Sequence, residues 1–121
     1  MTKIILIVED NDLNMSLFDQ LLRADGYRTI LSIDGTDALQ LAKERRPDLI
    51  IMDIQLPYRS GLEITKDLKA DKELKHIPVI AVTAFSLKGG IEKILAAGCD
   101  DVLGKPVSVP SFLEIVAKHL S

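Results

Sequence analysis

The sequence predicts an α/β fold in which five strand–helix units build one five-stranded parallel sheet, doubly wound so that helices cover both faces. Three observations carry this. The runs "KIILIV", "LIIM" and "PVIAV" are apolar and rich in β-branched residues, without the polar alternation of a half-exposed strand. Segments with apolar residues three or four apart follow the strands, as amphipathic helices require. The two patterns alternate along the whole chain, which calls for crossover connections and a parallel sheet rather than hairpins. A length of 121 residues suits one domain, residues 1–121, and 4% aromatic residues within 47% hydrophobic ones make the core aliphatic.

Taken in order, "KIILIV" is the first strand and closes on Glu9, Asp10 and Asn11. From Asn11 or Asp12 the period changes. Leu13, Leu17 and Leu21 fall four apart, with Phe18 and Leu22 beside them, and predict the first helix and its apolar stripe. Gly26 ends it. "YRTILSI" is a second, less apolar strand that belongs near an edge. Asp34 is placed to cap a second helix through Ala38, Leu39 and Ala42, which stops before Pro47. "DLIIMD" is the third strand, and Leu62, Ile64 and Leu68 mark a helix after Gly61. "IPVIAVTA" is the fourth strand, with Pro78 at its start, where a missing N–H is tolerated. Ile91, Ile94 and Leu95 predict the fourth helix, its first turns weakened by Gly89-Gly90. "DDVLGKP" contains the fifth strand. Ser108 caps the last helix, which carries Phe112, Leu113, Val116 and Leu120, with Pro110 in its first turn.

Composition excludes several classes. A formal charge of −3 with interspersed signs gives no basic face for nucleic acid. Cys99 is the only cysteine, so no internal disulfide forms, which fits a reducing compartment. The first apolar run, Ile4 to Val8, is too short for a signal peptide or a membrane span. The expectation is a soluble cytoplasmic protein with neither nucleic-acid nor membrane partner.

Ligands of open parallel sheets bind at the carboxyl ends of the strands. Those ends carry Glu9 and Asp10, Asp53, Thr83, and Lys105 followed by Pro106. Each alone has an ordinary explanation, as a helix cap, a strand end or a solvated loop lysine. Together they bring three carboxylates, a hydroxyl and an amine to one rim. Three acids at close range repel, and a divalent cation relieves this. Oxygen ligands without a His or Cys cluster point to Mg²⁺, or Mn²⁺ in its place. A carboxylate beside such an ion can attack phosphorus and form an acyl phosphate, with Lys105 and Thr83 holding the remaining oxygens. Asp53 is therefore the candidate phosphoryl acceptor. His76 and His119 read as surface residues, and Cys99 as a structural thiol.

"VEDN", "MDIQLPYRSG", "VTA" and "KP", in this order and on these elements, resemble the receiver domain of two-component response regulators. "VEDNDLNM", "HIPVIAVTAF" and "KPVSV" are similar to single-domain, DivK-like regulators of bacterial cell division and cell cycle. The resemblance implies the flavodoxin-like receiver fold and transfer of a phosphoryl group to Asp53 from a sensor histidine kinase or a histidine phosphotransfer protein. It implies Mg²⁺ bound by Asp10, Asp53 and the carbonyl of Gln55, with Glu9 acting through water. Thr83 would swing toward the phosphoryl group, Lys105 would pair with it, and the Lys105-Pro106 bond would be cis. The protein would be a signalling module rather than an enzyme, assisting only its own phosphorylation and dephosphorylation. Its output would be contact with a downstream signalling protein. Where the family usually carries Tyr or Phe, three residues before the lysine, this sequence has Val102. The response is then expected in the loop after Thr83 and in the fourth helix. A constitutive adaptor of the same fold is the alternative. An aspartyl phosphatase would want a second acid where Gln55 stands, and "EDND" would repel the phosphate of a flavin nucleotide.

Overall fold

A computed structural model describes residues 2–84 and 87–120. The strands are β1 (Ile4–Val8), β2 (Arg28–Ser32), β3 (Leu49–Asp53), β4 (Val79–Thr83) and β5 (Asp101–Gly104). The helices are α1 (Asp12–Ala24), α2 (Ala38–Arg45), α3 (Gly61–Ala70), α4 (Leu87–Ala96) and α5 (Val109–Leu120). The strands form one parallel sheet in the order β2-β1-β3-β4-β5. β3 and β4 lie in its middle and are buried along their whole length, while β2 is an edge, as its mixed composition predicts.

Side-chain alternation along each strand feeds two cores. Ile5, Ile7, Leu49, Ile51, Ile80 and Val82 meet Met15, Phe18 and Leu22 of α1 and Phe112 and Val116 of α5. Leu6, Val8, Ile50, Met52, Val79 and Ala81 meet Ala38 and Ala42 of α2, Ile64 and Leu68 of α3 and Ile94 of α4. Helices therefore cover both faces of the sheet. Among the described residues no helix is long and apolar enough to cross a membrane.

Three expectations need correction. The buried line of α1 is Met15, Phe18 and Leu22, whereas Leu13 is 82% exposed and Leu17 41%. Two apolar lines run side by side on this helix. Phe18 stacks on Phe112 with ring centroids 4.8 Å apart, which turns its line to the sheet and leaves Leu13 and Leu17 on the flank. Asp34 does not cap α2. Its Oδ1 accepts the N–H and hydroxyl of Thr36 at 3.0 and 2.7 Å, and Gly35, at φ +85°, turns the chain so that the helix starts at Ala38. His119 is not a plain surface residue: the end of α5 lies over the start of β5, bringing its Nε2 within 3.1 Å of Asp101 Oδ2. His76 is exposed and Cys99 is buried beside the Thr65 hydroxyl, as expected. The caps at Asn11 and Ser108 form, each accepting a backbone N–H three residues on. Phe85 and Ser86, in the loop after Thr83 where the response is expected, lie outside the described residues.

Candidate phosphoacceptor and cation site

The strand order reverses between β1 and β3, and a crevice opens at such a switch point. Val8 pairs with Met52, so the next residues, Glu9 and Asp53, stand side by side at the carboxyl end of the sheet. Glu9 is 1% exposed and Asp53 2%, while Asp10 opens to solvent. One carboxylate oxygen from each lies within 4.8 Å of the others. The strand register thus makes a cluster from residues 44 positions apart, counting from Glu9 to Asp53.

Lys105 reaches the cluster from the other side. Its Nζ stands 3.3 Å from both Glu9 Oε1 and Asp53 Oδ2. The lysine is positioned by its own backbone, whose N–H donates to the Thr83 carbonyl at 2.8 Å, extending the β4–β5 ladder beyond Gly104. The Lys105-Pro106 peptide is cis, as the resemblance implies. Thr83, 2% exposed, sits at the end of β4, the strand paired with β3.

Asp53 is held from its backbone as well. Its Oδ1 accepts the Gln55 N–H at 3.1 Å, and the Ile54 carbonyl accepts the Gly61 N–H at 2.9 Å. Gly61 lies so close that a Cβ there would overlap the Asp53 carbonyl oxygen. The Thr65 hydroxyl, fully buried, donates to the Gly61 carbonyl at 2.8 Å and fixes the first turn of α3 against this loop. Glycine at 61 is thus a steric requirement of the site, not a matter of helix capping.

Charge is poorly balanced here. Burial, then the hydrogen bond and negative charge of Glu9, push the Asp53 carboxyl up to about 6, and Lys105 opposes this only in part. Burial and then Asp53 push Asp10 above the ordinary carboxylate range. Three acids share one lysine. Glu9 Oε1 is buried without a hydrogen bond among the described residues. Its one cationic contact is Lys105, which it shares with Asp53, so a further cation or donor at this atom would be stabilising. The donor set is all oxygen, with no imidazole or thiolate in the cluster, which suits a hard divalent ion. Val102 lies half-buried against the α2–α3–α4 core.

Two residues that no sequence pattern singled out also reach this region. Ser32 accepts the Glu9 N–H on its carbonyl at 3.1 Å, and Gly35 packs toward the loop after Asp53. The available signal was a polar residue in phase with buried Ile30 on β2.

Comparison with known proteins agrees with this geometry. The chain is 58% identical over 120 residues to the polar-differentiation response regulator DivK of Brucella ovis, covering 99% of this chain and 98% of that protein. It superposes with a TM-score of 0.89 on the receiver domain of a Pseudomonas aeruginosa sensor histidine kinase, solved with a magnesium ion coordinated in its active-site cleft. That domain is 36% identical, with 98% of this chain and 97% of that one covered. A response regulator from Chloroflexus aurantiacus superposes with a TM-score of 0.94 at 28% identity, covering 99% and 98%. The family model of the response regulator receiver domain matches residues 5–117. With five parallel strands, an acid cluster at the switch point and these relatives, the chain belongs to the response regulator receiver family, whose function is phosphorylation signalling.

Proposed function

We propose that Asp53 accepts a phosphoryl group from the phosphohistidine of a sensor histidine kinase or a histidine phosphotransfer protein. The observation that carries this is a buried carboxylate flanked by two more acids and one lysine, with ligand oxygens of the three acids within 4.8 Å. An Asp53 oxygen attacks phosphorus, the P–N bond breaks, and its electron pair leaves with the donor imidazole, giving an acyl phosphate on Asp53. With its pKa raised only to about 6, Asp53 is mostly ionised at neutral pH and able to attack. Asp10, Asp53 and the Gln55 carbonyl would hold Mg²⁺, with Glu9 acting through water. The ion, when bound, offsets charge on the acids and on the transferring group. Lys105 is already placed to move from Asp53 Oδ2 to a phosphoryl oxygen, and Thr83 stands at the adjacent strand end. Hydrolysis of the acyl phosphate on the same residues would reset the module.

The output in this reading is protein contact made or broken on phosphorylation, in a role of the kind named for the Brucella relatives, polar differentiation. The competing reading is an adaptor that binds partners without phosphorylation. It draws on Val102, which offers no aromatic lever and is stiff at χ1. Intact mass after incubation with acetyl phosphate and Mg²⁺ separates the two. The expected result is one phosphate added, lost in Asp53→Asn and in excess EDTA. An undiminished mass shift in Asp53→Asn would sink the assignment, and no shift in the wild type favours the adaptor.

A further inference from the structure

We propose that the turn between β2 and α2 is a positioning element for Glu9, built from Ser32, Gly35 and Asp37, and that it sets the affinity of the acid site for a divalent cation. The inference rests on the cation reading above and adds residues from a loop that supplies no ligand to it.

Ser32 is completely buried at the end of β2. An alanine would fill such a position without needing a partner, whereas a buried hydroxyl is costly unless bonded. Its hydroxyl donates to Asp37 Oδ1 at 2.5 Å, a charge-assisted bond that spans the turn. Asp37 occupies the N-cap of α2 but makes no side-chain bond to that helix, so its carboxylate is free to serve Ser32.

The other side of Ser32 is the link to the site. Its carbonyl accepts the Glu9 N–H at 3.1 Å, one rung beyond the Val8–Ser32 pair. The Glu9 carboxylate, 1% exposed, has two contacts. Oε2 accepts the Asn11 N–H at 3.1 Å, and Oε1, without a hydrogen bond among the described residues, is ion-paired with Lys105 Nζ at 3.3 Å. The position of Glu9 depends on its backbone as well as on these contacts, and that backbone is tied to Ser32.

The same turn touches the second acid-bearing loop. A Cβ on Gly35 would come within 2.9 Å of methyls of both Leu56 and Ile64, and Leu56 lies three residues after Asp53. The turn thus packs against the loop that leaves Asp53 while it ties down the residue that precedes Asp10. Groups that orient metal ligands alter metal affinity without touching the metal.

The test is a Mg²⁺ titration of the intact chain followed by backbone amide NMR shifts, in wild type, Ser32→Ala, Asp37→Ala, Asp37→Asn and the double alanine variant. Ser32→Ala and Asp37→Ala should each raise half-saturating Mg²⁺ by about three- to tenfold, below the usual effect for a group bonded directly to a ligand. The double variant should be no worse than either single one, because the two residues form one bond. Asp37→Asn should stay near wild type, since its amide oxygen still accepts from Ser32. A purely structural bond would lower the denaturant midpoint and leave half-saturation unmoved, which would overturn the proposal. So would additive losses, or an Asp37→Asn loss equal to that of Asp37→Ala, which would mark a bare charge effect. If wild type itself shows no titration, the cation reading fails and takes this one with it. A normal wild type with unmoved variants sinks the positioning role alone.

Discussion

The two ends of the sheet carry similar numbers of acids and treat them differently. At the amino ends of the strands Asp48, Asp100 and Asp101 each have a partner. Asp48 accepts the Ile4 N–H at 2.8 Å, and Asp100 accepts the Val79 N–H at 2.8 Å and Lys69 Nζ at 2.9 Å. Asp101 meets Lys118 at 3.4 Å and His119 at 3.1 Å. At the carboxyl ends Glu9, Asp10 and Asp53 share Lys105, and among the described residues a buried Glu9 oxygen has no hydrogen bond. The lower rim uses carboxylates to close strand entrances. The upper rim leaves negative charge for something the protein must bind. Perturbed, under-neutralised acids in a crevice mark function, while matched ones mark architecture.

Gly61→Ala should damage the upper rim most, short of removing Asp53 itself. Its Cβ would drive the first turn of α3 against the Asp53 carbonyl. Displacing the acceptor by about an ångström should slow acetyl phosphate labelling on the order of a hundredfold. Stability should fall by about 1–3 kcal/mol, read from denaturant curves. Labelling at the wild-type rate would show that the loop yields without moving Asp53.

Removing single cation ligands should have a smaller effect. Asp10→Ala should weaken Mg²⁺ binding more than Glu9→Ala, because Glu9 is expected to act through water. Calorimetric titration of both variants checks this, and the reverse order would reassign the ligands.

Asp53 should also leave a signature in the pH dependence of stability without added cation. Its folded pKa, about 6, lies above the ordinary 3.8, so the folded state holds the proton more tightly. Stability from this group is present below about pH 4 and is lost as pH rises through 6. The loss is on the order of 2–3 kcal/mol, taken as the difference between wild type and Asp53→Asn. Saturating Mg²⁺ should flatten that difference by favouring the charged form. Wild type that instead gains stability relative to Asp53→Asn as pH rises would mean that Lys105 outweighs burial and Glu9.

Asp100→Ala should have the smallest effect on labelling, and so tests the contrast from the other end. It removes the partner of Val79 N–H and of Lys69, and should cost about 1–3 kcal/mol of stability. The labelling rate should not change. A labelling defect larger than that of Asp10→Ala would erase the distinction between the rims.

The sequence by itself determined the five units, the parallel sheet and the identity of the rim residues. These follow from local periodicity and from strands that end in polar residues, and both are properties of neighbours along the chain. It also located Lys105 and the acids, because the carboxyl ends of parallel strands share one edge whatever the packing details. It misjudged the face of α1, the role of Asp34 and the setting of His119. Each depends on which of two available partners a side chain meets. For Phe18 and His119 that partner is remote, Phe112 and Asp101, whereas for Asp34 it is Thr36 in the turn at Gly35, a local bond that the helical pattern did not show. Only the tertiary structure decided that Gly61 must lack a Cβ, that Lys105 sits equally near two acids, and that Ser32 joins Asp37 to Glu9. The physical reason is range. Hydrophobic periodicity is written every two to four residues, whereas a steric contact or a charge pair between strands is set by register, twist and packing across the whole sheet.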